Sequence, residues 1–196
     1  MKPSIFLNDM LTKGAILGGV MAASAIVEMM MLYYGGNTAW LTAMTVEVLV
    51  VVALYIWLTL RFTKGYAKLV LAEREKMPYF SYGSGLSYVI SISMLAGVIA
   101  ALGSYMFRHY IIGFENYMTA NVKLIQDVLS QTEVPASMVG TYEQLFKAMQ
   151  SQDEPSLIST LFSSVTNYLL AGTFVGLIVA AITKREPKIF DNQNEQ

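Results

Sequence analysis

Residues 14–34, 39–60, 86–107 and 157–183 form four apolar stretches, each long enough to cross a bilayer as a helix. At about 1.5 Å of rise per residue, roughly 20 apolar residues match a hydrocarbon core about 30 Å thick. Lipid offers no partner for a backbone N–H or C=O, so segments of this length and polarity must be helical. The chain therefore reads as all-α, a polytopic membrane protein with four transmembrane helices. One four-helix membrane domain takes up residues 1–196.

A soluble fold is hard to reconcile with the composition. Hydrophobic residues make up 55% of the chain and charged residues 14%, too few of the latter to wet a globular surface. The formal net charge of −1 hides charges segregated by region, and it gives no support to nucleic-acid binding. The chain has no cysteine and one histidine, His109. Disulfides are thereby excluded, and a zinc site is disfavoured because such sites draw on several His or Cys ligands. No metal, cofactor or catalytic residue is expected, since the sequence carries no nucleophile–base set, HExxH pair or Gly-rich phosphate loop.

Basic residues set the expected orientation. Lys2 and Lys13 precede the first span, Arg61, Lys64, Lys68, Arg74 and Lys76 follow the second, and Lys184, Arg185 and Lys188 follow the fourth, so 10 of the 13 lie on one side. The other side carries Arg108, Lys123 and Lys147 among six carboxylates. The positive-inside rule then places both termini and the linker 61–85 in the cytoplasm and the insertion 114–155 outside. Lys13, the apolar run and Ala23-Ser24-Ala25 imitate a cleavable signal peptide, but the apolar run continues to Tyr34, which favours a retained span.

In the linker, Phe62, Tyr66, Leu69 and Val70 recur at near-helical spacing opposite Lys64 and Lys68. The pattern predicts a helix lying along the inner leaflet, held by anionic lipid, until Pro78 and Gly83-Ser84-Gly85 break the chain. In the insertion, Phe114, Met118, Val122, Ile125 and Leu129 form one apolar stripe, and Met138, Tyr142, Leu145, Phe146 and Met149 form a second, with Ser137 as its expected N-cap. Two amphipathic helices in a hairpin are expected, packed over the mouth of the bundle, inserted at the membrane surface, or bound to a partner. The acidic turn Asp153-Glu154-Pro155-Ser156 suits the start of the fourth helix.

Within the spans, small residues mark packing faces. Gly14, Gly18 and Ala25 lie within about 40° of one another on a helical projection, and Glu28 falls on the same side. Ser93, Gly97, Ala100, Ala101 and Ser104 form a comparable face in the third span, with Arg108 within about 20° of Gly97. Gly172, Gly176 and Ala180 serve the fourth. Glu28 lies about 10 Å and Arg108 about 8 Å in from the external ends of their helices. Similar depth and inward facing predict an ion pair between them, since a lone charge there costs several kcal/mol. Glu47 has no basic partner on its own helix and must be protonated, meet Arg108 or His109, or face water.

The layout as a whole resembles domain-of-unknown-function family 4199 of bacterial membrane proteins. The resemblance is carried by the linker ending in YFSYGSG, the third span YVISISMLAGVIAALGSYMF, the helical insertion and the closing AGTFVGLIVAAITKREP. It implies a bacterial inner-membrane location and brings no site residues, because the family has no established catalytic motif. The expected role is a structural, accessory or interaction component in contact with membrane lipids and with a second copy or another membrane protein. Glu28, Glu47, Arg108 and His109 then form a buried charge network that fixes helix packing. The alternative is a small proton- or cation-coupled transporter or channel using Glu28 and Glu47.

Overall fold

The structure, a computed structural model, describes residues 3–35, 38–73, 79–131 and 136–185. Six α-helices follow in order: α1 (Pro3–Met30), α2 (Thr38–Glu73), α3 (Tyr82–Met106), α4 (Phe114–Ser130), α5 (Ala136–Gln150) and α6 (Leu157–Thr183). Wider π-helical turns extend α1 over Met31–Gly35 and α3 over Phe107–Ile112. Of the described residues 92% are helical and none lies in a strand. Helices long and apolar enough to cross a membrane run over Ile5–Gly35, Leu41–Glu73, Tyr82–Ile112 and Leu157–Thr183. Three of these exceed the stretches expected from hydropathy, because the helical backbone continues past the first charged side chains instead of stopping at them.

The largest correction concerns the linker. α2 is a single helix of 36 residues, about 54 Å long and far more than a hydrocarbon core requires. The segment expected to lie along the leaflet is the far end of this span. Its apolar face turns onto protein: Tyr66, Ala67 and Val70 are buried and belong to the main core, whereas Leu69 is exposed. Gly83-Ser84-Gly85 also does not break the chain, since all three lie in the first turns of α3. Ser81 caps that helix by accepting a hydrogen bond from Ser84 N–H at 3.1 Å. Lys2, Arg74, Lys76, Pro78, Lys188 and the side chains of Ser137 and Met138 lie outside the described residues. α5 begins at Ala136, so Ser137 falls within its first turn instead of preceding it.

α3 is the central helix, packed on α1 along one side and α6 along the other. Glycines make both approaches close. Gly14 and Gly18 face Leu95, Ala96 and Ile99 of α3, and a Cβ on Gly18 would stand 2.7 Å from Ile99 Cβ. On the opposite side Gly172 abuts Ser93 so tightly that an added Cβ would lie 2.6 Å from the serine Cβ and Oγ, while Gly97 faces Val165 and Tyr168. Van der Waals packing holds membrane helices together where the hydrophobic effect between them is absent, and small residues permit it. α2 is more peripheral. It buries Tyr55, Leu58, Thr59, Thr63 and Tyr66 toward one end and exposes Val46, Val48, Leu49, Val50 and Val52 toward the other.

Buried hydroxyls are satisfied within this packing. Thr59, Thr63 and Thr183 each donate to the carbonyl four residues back, at 2.6, 2.8 and 2.8 Å. Tyr55 Oη and Ser93 Oγ share a hydrogen bond of 2.6 Å. At the end where α1 starts and α6 stops, Tyr88 donates to Asp9 at 2.5 Å and stacks on Tyr66 with ring centroids 4.2 Å apart. Phe80 and Arg185 exchange backbone hydrogen bonds of 3.0 and 2.9 Å, which ties the end of α6 to the start of α3.

Candidate functional site

The opposite end of the bundle holds the sequence-predicted charges. Arg108 and His109 sit in the π-helical turn after α3, closed by a hydrogen bond of 2.9 Å from Gly113 N–H to the Arg108 carbonyl. Gly113, at φ +83°, occupies the left-handed region that its missing Cβ allows and redirects the chain into α4. Single π-turns of this kind insert an extra residue into the helical ladder.

The expected Glu28–Arg108 ion pair is not formed. The carboxylate beside Arg108 is Glu154, with Nε to Oε1 at 3.7 Å, and Glu154 Oε2 also meets His109 Nδ1 at 2.7 Å. The reason lies in which face of α3 meets which neighbour. Arg108 shares its face with Gly97, as the projection required, but that face packs on α6, while α1 packs on the Leu95, Ala96 and Ile99 side. Glu154 sits just before Ser156, the residue whose side chain caps α6 by accepting from Ser159 N–H. Its place ahead of a helix start pointed to a helix-dipole role, so its reach to another helix escaped the sequence pattern.

Glu28 and Arg108 nevertheless line one cavity of about 210 Å³, together with Met44, Ser104, Tyr117 and Asn121. Glu28 stays exposed. Glu47 takes neither Arg108 nor His109 as partner; it accepts a hydrogen bond of 2.6 Å from Ser24 Oγ. The four predicted residues thus divide into Glu28 and Glu47 on α1 and α2, and Arg108 and His109 with Glu154.

Arg108 also borders a second cavity, of about 360 Å³, lined by Ser159, Thr160, Ser163 and Asn167 of α6. Its guanidinium lies 5.7 Å from the Phe114 ring centre and 5.9 Å from that of Tyr117, both contributed by α4. Buried Nε and Nη2 of Arg108 and Oγ1 of Thr160 have no hydrogen-bond partner among the described residues. This arrangement can hold a polar group against Arg108. His109 stacks on Tyr105 at 5.5 Å and meets Tyr110 edge-on at 4.6 Å. Among the described residues no cluster of three or more His, Cys, Asp or Glu is placed to hold a metal.

α4 turns its stripe inward, with Val122 buried and Phe114, Met118, Ile125 and Leu129 half-buried, against the Met31–Gly35 turn and α5. α5 is far more open: Leu145 is exposed, and Tyr142 and Phe146 stack on each other at 6.5 Å.

Four apolar helices of spanning length, packed around a central α3 and closed at one end by a charged cluster, fit the class of multi-pass, all-α membrane proteins. Residues 12–185 match the model of the family described as "Protein of unknown function (DUF4199)", and the chain belongs to that family. No curated protein and no solved structure matches the chain.

Proposed function

We propose that this protein is an integral component of a bacterial inner membrane, with both termini cytoplasmic, and that it works by binding a protein partner instead of by catalysis or transport. The observation that carries this reading is that the charged groups and their partners fall at the two ends of the bundle. Glu28, Glu47 and Arg108 lie at one end, and Asp9, Tyr88 and Thr63 at the other. Between them Leu17, Met21, Ile92 and Ala96 pack with 0–4% of their surface exposed, and the buried Tyr55 and Ser93 hydroxyls at this level are paired with each other. A proton or cation path needs continuous polar or wet lining, and a tightly packed layer whose hydroxyls are already paired supports a structural role for the carboxylates.

The orientation rests on the basic residues at the Asp9 end, Lys13, Arg61, Lys64, Lys68, Lys184 and Arg185. In that frame α4 and α5 are external, and α5 offers the partner surface: Leu145 is 49% exposed beside the Tyr142–Phe146 stack. Cysteine labelling tests the orientation in this cysteine-free chain. An impermeant maleimide should modify Ser130→Cys but not Gly83→Cys in intact cells, and the reverse pattern would invert the topology. A photo-crosslinking amino acid at Leu145 tests the partner surface. One discrete adduct in native membranes is expected, its mass separating a second copy of the chain from another protein; absence of any protein adduct would contradict the reading.

A further inference from the structure

We propose that the cleft between the far end of α2 and the end of α6 binds the phosphate headgroup of an anionic phospholipid. Because α2 continues as one helix to Glu73, Arg61, Lys64 and Lys68 project from a single face at helical spacing instead of spreading over a surface segment. All three are exposed. They line a cavity of about 510 Å³ with Trp57, Leu60 and Gly65. A second cavity of about 150 Å³ shares Lys64 and Lys68 and is completed by Ile182, Thr183, Lys184 and Arg185. Five basic side chains thus converge, and no carboxylate lines either cavity among the described residues. The α6 side is held in place by the paired backbone hydrogen bonds between Arg185 and Phe80.

The apolar wall decides between a lipid and a soluble phosphate. Trp57 lies one helical turn nearer the middle of the span than Arg61, is 51% exposed, and carries the Arg61 guanidinium 5.2 Å from its ring centre. Ile178 and Ile182 expose 64% and 57% of their surface along α6. A tryptophan at this level sits well at a headgroup boundary, and the isoleucines offer contact to acyl chains that a free phosphate cannot use. Basic pockets between membrane helices on the cytoplasmic side are suited to anionic headgroups, each Lys or Arg strengthening binding about fivefold.

Native mass spectrometry of the full chain in mild detergent tests the site, titrated separately with phosphatidylglycerol, phosphatidylcholine and inorganic phosphate. A one-to-one phosphatidylglycerol adduct is expected, at least about tenfold tighter than phosphatidylcholine and resistant to millimolar phosphate. Lys64→Gln with Lys68→Gln should weaken it on the order of 30-fold, and Lys64→Arg with Lys68→Arg should preserve it. Lys64→Gln alone, about fivefold weaker, provides the same test if the double variant expresses poorly. Lys123→Gln with Lys147→Gln, in the α4 and α5 helices, should change nothing. Equal affinity for phosphatidylcholine, or unchanged binding in the Lys64 and Lys68 variants, would overturn the proposal. Displacement by inorganic phosphate would also overturn it and assign a soluble phosphate ligand instead.

Discussion

Glu154 stands 3.7 Å from Arg108 and so ties the start of α6 to the end of α3. Both side chains are about four-fifths buried, at 18% and 20% exposure. Removing either charge leaves the other poorly compensated, while removing both does not. Glu154→Gln and Arg108→Gln should each lower stability in detergent by about 1–2 kcal/mol, less than for a fully buried pair because solvent still reaches both groups. The double variant should recover much of the loss. The same cycle with Glu28→Gln and Arg108→Gln should be additive to within about 0.5 kcal/mol. Strong coupling in the second cycle and none in the first would reverse the pairing.

Gly172 makes the closest approach of the described glycines, with Ser93 2.6 Å from where its Cβ would stand. Gly172→Ala should force α6 off α3 and cost about 1–3 kcal/mol in thermal or denaturant unfolding. Gly19→Ala is the control. Nothing lies within 4 Å of its added Cβ, so it should be neutral or slightly stabilising through helix propensity. Equal losses in the two variants would argue against the close α3–α6 approach.

At the other end, the Tyr88 hydroxyl donates to Asp9 in a fully buried tyrosine. Tyr88→Phe keeps the ring stacked on Tyr66 but deprives Asp9 of its donor, at a cost of about 1–3 kcal/mol. Asp9→Asn retains an acceptor oxygen and should cost less. Unfolding measured in the same detergent checks the order, and a larger loss for Asp9→Asn would contradict it.

Hydropathy and length make the four spanning helices legible in the sequence, because lipid leaves a spanning chain little choice of backbone structure. Helical periodicity also picked out the stripe from Phe114 to Leu129 that α4 turns inward. The glycine faces were legible too, and Gly14, Gly18, Gly97, Gly172 and Gly176 all sit at close contacts. What a projection of single helices could not supply was which faces meet. Arg108 lies on the Gly97 face, and that face meets α6 instead of the α1 face that carries Glu28. The length of α2 is hidden for a related reason: Arg61, Lys64 and Lys68 signal the membrane boundary, not the end of a helix that continues to Glu73. Glu154, masked by its helix-start position, needed the fold to bring it to Arg108.

Proton flux through proteoliposomes tests the central claim, that the packed layer of Leu17, Met21, Ile92 and Ala96 closes the bundle between its two polar ends. Liposomes loaded with a pH-sensitive dye would be clamped with a potassium gradient and valinomycin, with and without the reconstituted protein. The account predicts the same leak in both, unchanged by Glu28→Gln or Glu47→Gln. Flux that scales with protein and disappears in either variant would contradict it.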